Sequence, residues 1–372
     1  MVKKMVILFL ILCNLILGGE EYKAQILSDE NGNILEGENI NLQHPLASLT
    51  KMMTSLIVLE KIKEGELRLE DEIRISRQAT NIKGSSARLK KGEKISIEKL
   101  LEATIVRSGN DASYQLAEKV AGNEEKFVKI MNEKAKELEM TQTKFYTSTG
   151  LPPNMTGKKM DVGTANDILK LAIEIMKYPK YIEISKKEKI SLKDGGVVFR
   201  NRNNFIGKYE GVDGLKTGHH SKANYNLVIT VKQNGLRFIE IILGSPTEKI
   251  RDEKVKEVLD IAYEKYKKIK IADKNEYAIT RNIKGAKQKE IKLYVEKDIL
   301  IVKEDAEKWK LYKTAYLPQE IKAPIKKGEK IGYIEIEYRG NIIKKVNLIS
   351  IEDVAEISKI RKLLRVLTFN LL

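Results

Sequence analysis

The sequence predicts an α/β (α+β) chain. An antiparallel sheet is flanked by helices and carries a helical subdomain, and a small C-terminal all-β domain follows. Three observations carry this prediction. Strand-like runs with turn signals stand at both ends of the first 270 residues, and helical patterns fill the space between them. After about Ile271 the text changes to short alternating runs such as Glu290-Ile291-Lys292-Leu293-Tyr294-Val295. The length of 372 residues and a hydrophobic content of 42% supply enough core for two or three domains.

In chain order, Met1-Val2-Lys3-Lys4 precedes an apolar run from Met5 to Leu17 and then Gly18-Gly19. A basic start, a short apolar run and small residues read as a signal peptide over residues 1–19, with an uncleaved anchor as the alternative. Asn31-Gly32 lies between the strand-like runs Ala24 to Asp29 and Asn33 to Glu36, a hairpin signal. Ala47 to Leu59 is largely apolar, without Gly or Pro, and reads as a buried helix. Helices follow over Lys99 to Val106, Ala112 to Val120, Glu124 to Met140 and Val162 to Tyr178, with Ser96 as an N-cap and Gly122 closing the second. Strands are expected from about Gly195, with a second hairpin around Gln233-Asn234-Gly235 and a charged helix from Glu248 to Tyr266. The expected domains are residues 20–270 and 271–355. Residues 356–372 carry Ile357, Ile360, Leu363, Leu364 and Leu367 at helical spacing, with Lys and Arg between. That pattern suits an amphipathic helix lying on a membrane surface, or one docked on its own domain.

Charge and rare residues narrow the chemistry. The formal net charge of +16 favours polyanions, but no basic block with interleaved aromatics appears and Trp is single, so nucleic acid is not expected. One Cys and three His leave no Cys/His zinc site and no internal disulfide; no metal and no cofactor are expected. Few His residues also leave a Ser-His-Asp triad poorly supplied, since His219 and His220 are adjacent and His44 lies close to Ser48. His44 and His220 are expected to be solvated.

Ser48 and Lys51 stand three apart at the head of the buried helix, so their side chains share a face. A desolvated lysine loses its proton more readily and can activate a neighbouring hydroxyl. The alternative is structural: Ser48 caps the helix and Lys51 snorkels to water. Ser96 and Lys99 repeat the spacing, and there the N-cap role suffices. Two further short motifs follow in order, Ser108-Gly109-Asn110 between two helices and Lys216-Thr217-Gly218 in the strand region.

With these three motifs the chain resembles the penicillin-recognising serine acyltransferases, and among them the low-molecular-mass D-alanyl-D-alanine carboxypeptidases. The surrounding text agrees, in Arg107-Ser108-Gly109-Asn110-Asp111-Ala112, in Gly211-Val212-Asp213-Gly214-Leu215-Lys216-Thr217-Gly218-His219 and in Ala323-Pro324-Ile325-Lys326-Lys327-Gly328. The resemblance implies a β-lactamase/transpeptidase-like domain followed by a β-sandwich. It implies that Ser48 attacks a D-Ala-D-Ala bond of a peptidoglycan stem pentapeptide, that β-lactams acylate it as covalent inhibitors, and that the enzyme serves peptidoglycan maturation and cell shape. Lys51 would be the base and Lys216 the nearby cation that helps keep it neutral. Ser108 would relay a proton to the leaving amine, and Asn110 would hold the substrate amide. Backbone N–H groups of Ser48 and His219 would form the oxyanion hole, beside Gly218 and Thr217. Thr217 and an arginine would bind the terminal carboxylate, and Arg202 and Arg251 match arginines of the family. The motif reads Ser-Gly-Asn, not Ser-Asp-Asn, and no Glu-x-x-x-Asn stands out between Asn110 and Lys216. Both departures favour the carboxypeptidase over a β-lactamase of the same fold. A non-catalytic wall-binding protein remains as a third reading. The expected place is the outer face of the cytoplasmic membrane or the periplasm.

Overall fold

The structure, a computed structural model, describes residues 21–193, 196–304, 310–338 and 340–358. The leader expected over residues 1–19, and all but the first three residues of the basic helix expected over residues 356–372, lie outside the described residues. The chain divides into two compact units, Met1–Ile261 and Ala262–Leu372.

The first unit is built on a five-stranded antiparallel sheet. Its strands are β1 (Ala24–Asp29), β2 (Ile34–Glu38), β3 (Val212–His220), β4 (Asn224–Gln233) and β5 (Leu236–Ser245), in the order β2-β1-β5-β4-β3. The expected hairpins are present. Gly32 has φ +86°, and the turn between β4 and β5 places Asn234 and Gly235 at φ +50° and +77°. A two-residue turn with both residues left-handed matches the twist of the strands it joins, which is why Asn-Gly suits it. Alternation then sets the faces. Ile239, Ile241 and Leu243 join Ala24 and Ile26 in a core with Met52, Leu56, Ile168 and Leu171. Each such side chain contributes about 1.5–3 kcal/mol over its exposed state. Glu240 points the other way, fully buried, and accepts from Gln25 Nε2 at 2.9 and 3.1 Å. Burial pushes its carboxyl well above the usual range.

Helices of the unit include α1 (Thr50–Lys63), α2 (Ile97–Ile105), α3 (Asn110–Ala121), α4 (Glu124–Glu137), α5 (Ala165–Met176), α6 (Pro179–Ser185) and α7 (Glu248–Lys265). Ser96 caps α2, its Oγ accepting from Lys99 N at 3.3 Å, and Gly122 closes α3 at φ +79°. The helix expected from Val162 begins three residues later. Thr164 caps it, while Val162 and Gly163 pair with Pro45 and His44 in a short ladder. A Cβ on Gly163 would sit 2.7 Å from Thr143 Oγ1, so glycine permits that approach. Helix α6 and the hairpin Lys189–Ser191 with Val198–Arg200 are too short to declare a period in sequence.

The second unit carries a six-stranded sheet. Its order is Leu311–Tyr316, Lys330–Tyr338, Asn341–Ile349, Glu290–Val295, Tyr277–Lys284 and Ile321–Lys322, and a two-stranded ladder joins Tyr266–Ala272 to Ile299–Glu304. Its own core gathers Ile291, Leu293, Ile299, Ile334, Ile336, Val346 and Leu348. Among the described residues no helix is long and apolar enough to cross a membrane.

Candidate active site

Ser48 does not open the helix as expected. It sits in a 3-10 turn, Ala47–Leu49, that leads into α1, and its side chain makes no capping bond. Several contacts pin this turn. Asn226 of β4 donates from Nδ2 to the carbonyls of Pro45 and Leu46 at 2.9 and 3.2 Å. A Cβ on Gly218 would stand 2.8 Å from Leu46 O and 3.2 Å from Leu49 N. Gly218 therefore lets β3 press against the turn that bears Ser48. Ala47 is held at φ +49°, in the left-handed region that alanine rarely occupies.

Lys51 is fully buried at 0% exposure. Its Nζ lies 2.9 Å from Ser48 Oγ and donates to the Thr149 carbonyl at 2.6 Å. Burial brings its pKa down to about 7, against the pull of Asp161 and Asp111. At that value a large share of the lysine is neutral near pH 7, and Ser48 O–H can then donate to Nζ across the same 2.9 Å. The snorkelling alternative fails, because this amine has no route to water.

The loop behind Lys51 positions its hydrogen-bond partner, and the sequence does not announce it. Asp161 accepts from Thr50 Oγ1 at 3.0 Å, Thr147 Oγ1 at 2.7 Å, Tyr146 N at 2.6 Å and Thr147 N at 3.0 Å. Burial raises the Asp161 carboxyl to about 6. Ser148 O receives Thr54 Oγ1 at 2.8 Å and Ser113 Oγ at 2.7 Å. These bonds fasten residues 146–150 to α1 and α3 and so aim the Thr149 carbonyl at Lys51. The spacing of Thr147, Thr149 and Asp161 carries no signal from which this could be read.

Ser108 and Asn110 stand at the junction of α2 and α3; Ser108 lines the cleft, and Asn110 lies behind it, outside the cleft lining. Ser108 has φ +61° and is 5% exposed, and its Oγ has no hydrogen-bond partner. Asn110 donates from Nδ2 to Lys83 O at 2.7 Å, while its Oδ1 is buried and unpaired. Asp111 holds the rest of this wall, accepting from Ser86 Oγ at 2.7 Å and Ala87 N at 2.9 Å. Of these two buried polar atoms without partners, that of Ser108 belongs to a residue lining the cleft, where a polar ligand would satisfy it.

Lys216 lies on β3, an edge strand of the sheet, with its side chain buried and its Nζ donating to Thr217 O at 3.1 Å. Its pKa falls well below the usual lysine range through burial first, then repulsion from Lys51 and Arg202. Burial is the leading cause for both amines, and the charges that act on Lys51 are those of Asp161 and Asp111.

Ser48, Ser108, Thr217, Gly218 and His219 line one cleft of about 510 Å³. Arg202 and Arg251 reach the same cleft, as do Arg107, Tyr225 and Glu248, to which the motifs assign no role. His219 stacks on Tyr225, ring centroids 4.1 Å apart. Arg251 is almost completely buried, and Asp252 Oδ1 accepts from its Nε at 2.8 Å and its Nη2 at 2.6 Å. Two histidines depart from expectation. His44 is buried with Nε2 2.8 Å from Ala223 O. His220 Nδ1 accepts from Lys222 N and Ala223 N, and burial lowers its pKa to about 4. Both brace the turn after β3; His44 is buried and His220 half-buried. A larger groove of about 690 Å³, between α4 and residues 144–159, holds none of the expected site residues. Among the described residues no group of His, Cys, Asp or Glu is arranged to hold a metal ion.

A serine 2.9 Å from a buried lysine of lowered pKa, in a cleft that a second serine also lines, is an arrangement suited to acyl transfer with an amine base. The D-alanyl-D-alanine carboxypeptidase family model matches residues 21–247, and the model for the C-terminal domain of penicillin-binding protein 5 matches residues 266–356. The chain belongs to the D-alanyl-D-alanine carboxypeptidase family. D-alanyl-D-alanine carboxypeptidase DacF of Bacillus subtilis is 31% identical over 341 residues, covering 91% of this chain and 86% of that protein. The crystal structure of penicillin-binding protein 5 from Haemophilus influenzae superposes with a TM-score of 0.77 at 28% identity, covering 91% of this chain and 99% of that one. Penicillin-binding protein D2 of Listeria monocytogenes, solved in an ampicillin-bound form, matches 65% of this chain and 98% of its own with a TM-score of 0.59 at 28% identity.

Proposed function

We propose that this protein is a serine D-alanyl-D-alanine carboxypeptidase that removes the terminal D-Ala from peptidoglycan stem peptides. The observation that carries the proposal is the 2.9 Å contact between Ser48 Oγ and the buried amine of Lys51. Neutral Lys51 takes the Ser48 proton as Oγ attacks the carbonyl of the penultimate D-Ala. The oxyanion forms against the N–H groups of Ser48 and His219, a placement that supplies electrostatic stabilisation where charge develops. The C–N bond then breaks, and Ser108 passes the proton from Lys51 to the departing amine. Water completes the cycle by hydrolysing the ester on Ser48. The free edge of β3 offers backbone partners to an extended peptide, with Asn110 behind Ser108 on the facing side. Thr217 and the cleft arginines receive the carboxylate.

A β-lactam presents a strained amide and a carboxylate to the same groups, and the Listeria relative was solved with ampicillin bound. Acylation of Ser48 by penicillin and slow release are therefore part of this reading. Incubation with a fluorescent penicillin and with a diacyl-L-Lys-D-Ala-D-Ala peptide tests it. The wild type should form a lasting adduct and release D-Ala, and Ser48→Ala should do neither. Fast penicillin turnover without D-Ala release points to the β-lactamase instead, and no adduct with no release removes both.

The protein is further proposed to work outside the cytoplasm, held on the membrane surface by the oily and basic faces of residues 356–372. Deleting residues 357–372 should move the protein from the membrane fraction to the soluble one. An unchanged distribution refutes the tether.

A further inference from the structure

The groove of about 690 Å³ between α4 and residues 144–159 is larger than the cleft at Ser48, and the reaction gives it no task. One side is a stripe of α4. Glu125, Lys129, Asn132, Glu133 and Lys136 recur three and four residues apart there and so share a face. Lys144, Lys158 and Lys159 line the other side. Val128, Phe145 and Tyr146 supply the apolar part of the lining. Asn132 is engaged within the fold: its Nδ2 donates to Val128 O and Phe145 O, and its Oδ1 accepts from Phe145 N.

The charges of this groove do not cancel. Lys158 is held, its Nζ donating to Glu124 Oε2 at 2.6 Å. Lys129, Lys136, Lys144 and Lys159 are exposed, and among the described residues none of them pairs with a carboxylate. Only Glu125 and Glu133 oppose the five ammonium groups of the lining. Unpaired cations around an apolar floor suit a ligand that carries carboxylate and small apolar groups together. A bare phosphate polymer satisfies the lysines and leaves Val128 and Tyr146 uncovered, whereas a peptide end with a carboxylate and alanine methyl groups meets both. The volume lies within the range of about 300–1,000 Å³ that holds a small ligand, which suits a peptide end and not a folded partner.

We propose that this groove is a second docking site for the polymer whose peptides the cleft trims, taking the carboxylate and methyl groups of one stem peptide while Ser48 acts on another. This rests on the carboxypeptidase reading and adds to it a preference for polymer over a lone peptide. A second, tethered contact raises the effective concentration of the next peptide, to about millimolar for short linkers, with no change in the cleft. The groove also adjoins the support of Lys51. Glu124, which holds Lys158, accepts with Oε1 from Ser148 N at 2.9 Å and Ser148 Oγ at 2.7 Å, and the next residue, Thr149, accepts from Lys51. Lys158 therefore serves the loop behind Lys51, and the unpaired lysines are the ones to change.

The test compares soluble, uncrosslinked peptidoglycan strands bearing pentapeptides with diacyl-L-Lys-D-Ala-D-Ala at equal peptide concentration. Wild type should show a kcat/KM per peptide about tenfold higher on strands, and the preference should shrink as salt rises, because exposed charges are screened. Lys129→Gln, Lys144→Gln and Lys159→Gln in one protein should remove most of that preference through KM. The diacyl peptide and the rate of penicillin acylation should not change. Lys289→Gln, Lys313→Gln and Lys326→Gln, which take the same charge from exposed positions elsewhere, should keep the preference. A wild type without preference, a preference that survives the groove substitutions, one that falls equally in the control, or an equal loss on both substrates overturns the proposal. Binding of a peptide-free polyol phosphate polymer through the same three lysines overturns it in favour of a phosphate ligand. If wild type forms no adduct on Ser48 and cleaves neither substrate, it is the carboxypeptidase reading that falls.

Discussion

Replacing Lys51 by methionine is expected to slow acylation of Ser48 by about a thousandfold, within the range of about 10²–10⁴ associated with a positioned general base. Methionine is close to lysine in length and tolerates a buried site, so the loss should fall on chemistry more than on folding. The wild-type rate should also report the lysine's titration. The neutral amine is the base, so acylation should rise with pH through about 7 and fall about tenfold per unit below it. The variant's residual rate should lack that limb. Second-order rates with a fluorescent penicillin between about pH 5 and pH 9 measure both. A wild-type rate that is flat across this range, or a variant within about threefold of wild type, would remove Lys51 from the base role.

Gly150→Ala is expected to be the most damaging single methyl group near the site. Gly150 has φ +79°, and a Cβ there would lie 1.8 Å from Ala47 O and 2.4 Å from Ala47 C. Backbone cannot step aside as a flexible side chain can. Conformational strain and overpacking together should cost about 2–4 kcal/mol, a fall of roughly 4–16 °C in melting temperature for a domain of this size. The displaced atoms belong to the residue before Ser48, so acylation should fall as well. Gly157 is the control: at φ +69° an added methyl group would meet nothing within 4 Å, so Gly157→Ala should cost only about 1 kcal/mol. Equal losses in the two variants, by thermal melting and acylation rate, would show that the contact with Ala47 has no special weight.

Much of this site is legible in the sequence because its parts are short and local. Ser48 and Lys51 are one helical turn apart. Ser108 to Asn110 fills a gap between two helices, and Lys216 to Gly218 runs along one strand. The hairpins are legible for the same reason, since Asn-Gly imposes its geometry within two residues. The remainder depends on approach between distant segments. Gly218 against Leu46 and Leu49, Gly150 against Ala47, and Asp161 between α1 and the 146–150 loop have no periodic signal. Asp252 is silent for the same reason, although it decides the state of Arg251. The two histidines show the converse: a polar residue without an obvious duty is assigned to solvent, while the fold buries His44 against a backbone carbonyl.

The turn that bears Ser48 owes its shape to segments far from it in sequence: Asn226 and Gly218 on neighbouring strands, Gly150 in the loop behind Lys51 and Asp161 beyond it. An unfolded molecule keeps all the reactive groups and loses the reaction. On the proposed acylation of Ser48, penicillin becomes a census of intact molecules. The covalent label would count how many copies in a sample have the catalytic unit assembled, and the pace at which labelling disappears during heating or denaturant treatment would follow the opening of that one junction, without any spectroscopic probe being added to the protein.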